Sequence, residues 1–209
     1  MDDRIKYHQE EGTLFSQVSN QSNLVKKRFL NLTDDLLEFY NVLGKFDFTN
    51  KQLVRPSFDT YFMRLAELAA SRSNCMKRGI GAIITKDNRV KFTGYNGIPF
   101  GLTNCNEGGC RRCNDNVSQG IDLEQCLCLH AEESAIIEAG RDQCMGATIY
   151  TTCSPCHLCT KKIIQAGIIR IVYNTAYNSP LATEMLALTN IEIAQVNPET
   201  GTLKIVQKR

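Results

Sequence analysis

The chain has 209 residues, enough for one domain of ordinary size with a short extension. Its apolar share of 43% and charged share of 22% are those of a globular protein, and no run of about eighteen uncharged apolar residues is present to form a membrane-spanning helix. A formal charge of +2 argues against a surface built to grip a nucleic-acid backbone, although one or two cations suffice for a small phosphorylated ligand.

In chain order, residues 1–22 are polar and expected to be disordered. Met1–Lys6 lacks the apolar core of a signal peptide, so a cytoplasmic location, with the nucleus as a second possibility, is expected. A helix is expected to end at Gly44, with Thr33 as its cap and Leu36, Tyr40 and Leu43 on its apolar face. Pro56 marks the boundary between an N-terminal extension, residues 1–55, and the main domain, residues 56–209.

Beyond that boundary the pattern is α/β. A helix begun by Asp59 places Phe62, Leu65, Ala66 and Ala69 on one face. Gly81–Thr85 and Val90–Thr93, joined by the turn residues Lys86 to Arg89, read as a hairpin. A Gly-, Asn- and Cys-rich loop then runs from Gly94 to about Gln125, long enough to imply a function or a staple. After it come a helix His130–Ala139, a strand Ala147–Thr151, a helix Cys156–Ala166 and a strand Arg170–Tyr173. A helix Pro180–Leu188 and a strand Ile191–Val196 complete the pattern, and this alternation implies a largely parallel sheet with helices on its faces.

Ten cysteines in a chain without a secretion signal point to metal ligation rather than a disulfide framework. Cys156 and Cys159, three apart at the start of a helix, present both sulfurs on one face, as two corners of a tetrahedral zinc site. His130, at the start of the preceding helix, supplies a third. The positive ends of both helix dipoles favour the thiolate form. Three protein ligands leave the fourth corner for water, which separates a catalytic zinc from a structural one. Glu132 stands beside the metal without being needed as a ligand, so it can take the proton of a water acidified by zinc and pass protons to a departing amine. H-x-E followed by P-C-x-x-C is the signature of zinc deaminases, here His130-Ala131-Glu132 and Pro155-Cys156-His157-Leu158-Cys159. Alone, C-x-x-C is commonly a structural half-site or a redox pair, and a helix-start histidine a cap; both in this order are much more specific.

Across residues 56–196 the sequence resembles the deoxycytidylate (dCMP) deaminase family, particularly its fungal forms. The resemblance runs through Ala69-Ala70-Ser71-Arg72-Ser73-Asn74-Cys75-Met76-Lys77-Arg78, Gly94-Tyr95-Asn96-Gly97-Ile98-Pro99, Gly108-Gly109-Cys110-Arg111-Arg112-Cys113, Cys126-Leu127-Cys128-Leu129-His130-Ala131-Glu132-Glu133 and Ser154-Pro155-Cys156. It implies a three-layer α/β/α cytidine-deaminase-like fold with a five-stranded mixed sheet, commonly assembled as a homohexamer. The implied reaction takes dCMP and water to dUMP and ammonia, feeding thymidylate synthesis, with activation by dCTP and inhibition by dTTP. Asn96 would meet the deoxyribose hydroxyl, and backbone at Ala131 and Ser154 the pyrimidine edge. Tyr177 would lie over the substrate, Arg78 or Lys77 near the 5′-phosphate, and Arg141 at a position tied to effector response. Read from the residues alone, Asn96-Gly97 is equally an ordinary turn, Lys77 and Arg78 a solvated pair, and Tyr177 a core ring. Ser134 departs from the family's usual asparagine and loses an amide donor, which bears on the effector response.

The family also includes members with a second zinc that pins the long loop through positions matching Cys75, Cys105 and Cys128, with Cys110 or Cys113 as fourth ligand; such closed coordination would be structural. Cys126 remains unassigned, and several of these cysteines read equally as buried free thiols. Residues 24–55 look like the remnant of a larger N-terminal region of fungal relatives. Competing functions are a nucleic-acid deaminase, which shares the metal motif, and a non-catalytic zinc-bearing nucleotide-binding subunit, against which Glu132 counts.

Overall fold

The computed structural model describes residues 36–45, 55–115, 121 and 125–208. The expected disorder of residues 1–22, the Thr33 cap and most of the supposed remnant lie outside the described residues. The chain divides into two units, Met1–Pro56 and Ser57–Arg209. In the first, helix α1 spans Leu36–Gly44, closing on the expected glycine. No helix among the described residues is long and apolar enough to cross a membrane.

The second unit opens with α2 (Phe58–Ala70), capped by Ser57, whose hydroxyl accepts the Thr60 N–H at 3.2 Å. The helix therefore starts one residue before Asp59, which is left free for a tertiary role. A hairpin follows, β1 (Gly81–Lys86) and β2 (Arg89–Tyr95), closed by Asp87 and Asn88 with φ of 54° at both. Two central residues with positive φ match the right-handed twist of the flanking strands. The long loop carries a 3-10 turn, Cys105–Glu107, and a short helix α3 (Arg111–Asn114). The remaining elements are α4 (Ala131–Cys144), β3 (Thr148–Cys153), α5 (His157–Gln165), β4 (Arg170–Thr175), α6 (Pro180–Ala187), β5 (Glu192–Val196) and β6 (Leu203–Gln207). In α4 the backbone leaves the helical region at Gly140 (φ 66°, ψ 164°) and resumes beyond it, so the helix runs past the expected end at Ala139.

The sheet has the order β2-β1-β3-β4-β5-β6. The β3–β4–β5 pairings are parallel and the others antiparallel. It is mixed, as the resemblance implies, but among the described residues it has six strands instead of five. With only two of its five pairings parallel, it is not the largely parallel sheet that strand–helix alternation suggests, because hairpins join β1 to β2 and β5 to β6. The sixth, Leu203–Gln207, lies mostly exposed at the edge and lacks the buried alternation that marks a strand in sequence. It is held by the turn at Asn197, whose Oδ1 accepts the N–H groups of Glu199 and Thr200. Gln207 ties the strand's end to the chain after α6 through the carbonyls of Leu186, Thr189 and Ile191.

Side chains alternate across the sheet. Ile84, Ile149, Ile171 and Ile193 face α4, α5 and α6, packing with Ala135, Ile163 and Leu186. Ile83, Tyr150, Val172 and Ala194 face α2, packing with Phe62, Met63 and Ala66. Both faces are covered, giving the three-layer α/β/α arrangement.

The α2 face also carries an ionic staple. Arg170 of β4 donates to both carboxylate oxygens of Asp59, at 2.6 and 3.1 Å, and to Glu192, while the Tyr150 hydroxyl donates to Asp59 at 2.7 Å. Against the burial that opposes it, the Arg170 hydrogen bonds hold the Asp59 carboxyl below its ordinary value. Its stabilising contribution is therefore present above about pH 4 and lost as pH falls through the lowered folded value. Asp59→Asn should destabilise the protein by about 1–3 kcal/mol at neutral pH. Denaturant midpoints should draw together with those of the unaltered protein as pH falls below about 4; a gap that does not narrow over that range would show that packing, not charge, was lost.

Candidate metal centre and active-site cleft

The end of β2 and the start of α4 are pressed together. A Cβ at Gly94 would lie 2.3 Å from the Ala131 carbonyl oxygen and 2.6 Å from the Ala135 nitrogen, so only glycine permits this approach. Just beyond, Gly97 and Leu129 exchange backbone hydrogen bonds of 3.2 and 2.8 Å. The residue after Leu129 is His130, which thereby sits at the N-cap of α4 with its ring turned from the helix. Cys156 occupies the matching N-cap of α5, at the C-terminal end of β3, and Cys159 lies in that helix's first turn.

The two helix starts converge. His130 Nδ1 lies 3.4 Å from Cys156 Sγ and 3.3 Å from Cys159 Sγ, and the three atoms are all within 4.8 Å of one another. A hydrogen bond from the Cys159 thiol, together with one from His130 and against the opposing burial, holds Cys156 at about 3. The bond to Cys156 in turn raises His130, with burial opposing, and Cys159 is raised as the thiol that keeps its proton. One imidazole and two sulfurs form a donor set that fits zinc and leaves a coordination position for a small molecule.

Glu132 is 4% exposed, and burial pushes its carboxyl above the ordinary carboxylate range. It shares a single cleft with His130 and Cys156, and that cleft is also lined by Lys77, Arg78, Asn96, Ala131, Ser154 and Tyr177. The structure thus brings together in one place residues spread over about half the chain. Asn96 is buried, and its amide is engaged on the protein side: Oδ1 accepts the Ile80 N–H and Nδ2 donates to the Arg78 carbonyl, both at 2.7 Å. It therefore fixes the segment that carries Lys77 and Arg78. Ser154 Oγ accepts the Tyr177 N–H at 2.7 Å, holding the tyrosine at the rim. Arg78 is exposed, and among the described residues no carboxylate pairs with it or with Lys77. Arg141 lies elsewhere, beside a separate hollow with Lys161 and Lys162.

Arg112 and Cys126 line the cleft without a role there having been assigned to them from the sequence. Arg112 is buried and donates to the Ile121 carbonyl from Nε and Nη2. In sequence it was one of two adjacent arginines, with nothing to set it apart. Cys126 joins the thiols of the long loop; its C-x-C spacing with Cys128 was the available signal. Those thiols form two overlapping groups, Cys75, Cys105, Cys113 and Cys128, and Cys110, Cys113, Cys126 and Cys128. Cys113, not Cys110, completes the set expected around Cys75, Cys105 and Cys128.

A family model described as the cytidine and deoxycytidylate deaminase zinc-binding region matches residues 56–175. The chain belongs to that family. Among its relatives, the deoxycytidylate deaminase of Schizosaccharomyces pombe is 47% identical over 169 residues, covering 80% of this chain and 52% of that protein. The deoxycytidylate deaminase of Saccharomyces cerevisiae is 57% identical over 126 residues, covering 60% of this chain and 40% of that protein. The chain therefore spans about half, or less, of these curated relatives. A solved dCMP deaminase from the cyanophage S-TIM5, in complex with dCMP and dUMP, superposes with a TM-score of 0.56 at 29% identity, over 68% of this chain and 98% of that one. The zinc-binding character of the family agrees with the His130, Cys156 and Cys159 donor set.

Gly94→Ala should force α4 away from β2, at a cost of about 1–3 kcal/mol. Melting temperature and zinc retained after dialysis should fall together; an unchanged zinc content would show that this contact does not set the position of His130.

Proposed function

We propose that this chain catalyses the zinc-dependent hydrolytic deamination of dCMP to dUMP and ammonia, supplying dUMP for thymidylate formation. The observation that carries this reading is the convergence of His130, Cys156 and Cys159 at a cleft that His130 and Cys156 line together with the buried Glu132. Its likeness to a deaminase solved with dCMP and dUMP supports the choice of substrate.

His130, Cys156 and Cys159 would hold the ion. When bound, zinc supplies Lewis acidity that lowers the pKa of a water toward neutrality. Glu132 takes that water's proton and delivers it to N3 of the cytosine ring as the water oxygen bonds to C4. It then carries the second proton from that oxygen to the amino group, so that the C4–N bond breaks and ammonia leaves. Burial suits Glu132 to this relay, because a carboxyl with raised affinity for protons both accepts and returns them. The backbone at Ala131 and Ser154 meets the pyrimidine edge, Tyr177 covers it, and Asn96 stands by the sugar while its amide holds the Arg78 segment. Arg112 is committed to the Ile121 carbonyl and Lys77 Nζ donates to the Asp115 carbonyl at 3.1 Å, which leaves the exposed Arg78 as the first choice for the 5′-phosphate, with Lys77 beside it.

The same reading carries a homohexamer, dCTP activation and dTTP inhibition. In its support, Arg141 shares a hollow with Lys161 and Lys162, away from the catalytic cleft, where an anionic effector would be attracted. It also carries a structural zinc on the long loop, held by Cys75, Cys105, Cys113 and Cys128; the mutual reach of those four sulfurs supports it.

Glu132→Gln should lower kcat on dCMP by about 10²- to 10⁴-fold with zinc content unchanged; surviving activity would remove Glu132 from the proton relay. Arg78→Ala should reduce the preference for dCMP over deoxycytidine by about tenfold, the scale of one charge-assisted hydrogen bond. An unchanged ratio would place the phosphate elsewhere. Ammonia release compared across dCMP, deoxycytidine, dCTP and a single-stranded oligonucleotide should favour dCMP, and a stronger response to the oligonucleotide would transfer the function to nucleic-acid deamination.

A further inference from the structure

We propose that Cys75, Cys105, Cys110, Cys113, Cys126 and Cys128 hold two zinc ions as one binuclear thiolate cluster, bridged by Cys113 and Cys128. The inference deepens the single-zinc reading of this loop and rests on it.

The geometry is that of two tetrahedra sharing an edge. The sulfurs of Cys75, Cys105, Cys113 and Cys128 all lie within 4.8 Å of one another, and so do those of Cys110, Cys113, Cys126 and Cys128. A Zn–S bond of about 2.3 Å in a tetrahedron sets neighbouring sulfurs about 3.8 Å apart. Cys75 and Cys113 are 3.9 Å apart, and Cys113 and Cys126 are 3.6 Å apart. One ion takes four of the six sulfurs and leaves two buried or half-buried thiols against a thiolate cage. A second ion, sharing Cys113 and Cys128, uses all six. The six-thiolate, two-zinc cluster carries the same net charge as one zinc held by four thiolates, so the second ion adds no net charge to the loop.

The loop needs such a staple at both ends. Between residues 98 and 128 the buried described residues are Cys105, Cys110, Arg112, Cys113 and Cys128 alone. Of the larger apolar side chains described there, Phe100, Leu102, Ile121 and Leu127 are more than half exposed, and Ile98 packs, half-buried, against the cysteines. Among the described residues sulfur therefore makes most of this segment's interior, which sets little buried apolar surface against the entropy of ordering so long a loop. The first group of four joins the exit of α2 (Cys75) to the 3-10 turn (Cys105) and α3 (Cys113). The second joins Cys110 to Cys126, across the segment that returns toward α4. The backbone between the two groups is already shaped for both. A Cβ at Gly109 would lie 1.8 Å from the Thr103 carbonyl oxygen, and Asn114 Nδ2 donates to the carbonyls of Cys105 and Cys110 at 2.7 and 2.9 Å. The Met76 N–H points at Cys105 Sγ, 3.4 Å away, a donor suited to a thiolate.

The test is zinc content per chain in the intact protein, purified with zinc and desalted, followed by cadmium-113 exchange and NMR. Three zinc ions per chain are expected, one catalytic and two in the cluster. Two would overturn the pair while leaving a single loop zinc; one would overturn both. Cys126→Ser, which touches only the second group, should remove one ion, and an unchanged count would overturn the cluster. Should that variant fail to fold, the cadmium spectrum of the unaltered protein decides. Two signals from all-sulfur sites that split each other through the bridging thiolates are expected, besides the signal of the His130 site. A single all-sulfur signal, or two without mutual splitting, would overturn the proposal.

Discussion

Everything chemical in this protein depends on two helix N-termini meeting beside the C-terminal end of β3. His130 caps one helix and Cys156 the other, so a nitrogen and two sulfurs converge where both helix dipoles are positive. That field stabilises thiolates, and thiolates are what a zinc ion binds. The approach is possible because Gly94 lets β2 lie against the first turn of α4 without a side chain between them. It is stiffened by the Gly97–Leu129 bridge immediately before the histidine. The sheet thus acts on the site through backbone contacts, and the helices supply direction and charge.

Around that point the protein divides the work between two kinds of interior. The sheet and its helices have an ordinary apolar core on both faces, with isoleucines toward α4, α5 and α6 and a mixture of Ile83, Tyr150, Val172 and Ala194 toward α2. Among the described residues of the long loop, the interior is made almost wholly of cysteines, with Ile98 packed against them. A wall of the cleft comes from this loop, including Arg112, Cys113, Cys126 and Cys128. Whatever holds the sulfurs together therefore also shapes the space in which a nucleotide would sit. Asn96 serves the same end from the other side, since its amide fastens the Arg78–Ile80 backbone that brings two cations to the cleft.

Much of this was legible beforehand, for identifiable reasons. His130, Cys156, Cys159 and Glu132 are at or adjacent to helix starts, and helix starts have local signals, so spacing alone placed their side chains on common faces. The buried strands were legible through their apolar runs. The edge strand Leu203–Gln207 was not, because it pairs on one side only and buries almost nothing. Its existence depends on the β5 backbone and on Gln207 reaching three carbonyls near α6. The extension of α4 past Gly140 was hidden by the same glycine that ordinarily ends a helix.

The sequence by itself determined the metal chemistry, because ligand type and short-range spacing are properties of neighbouring residues. It also determined the fold class, through strand and helix periodicity. Only the tertiary structure decided which cysteines of the loop lie within reach of one another, that Cys126 is among them, and that Arg112 faces the cleft while Arg141 does not. Those facts depend on distances between segments tens of residues apart, and such distances are set by packing of the sheet, helices and loop together rather than by any local preference of the chain.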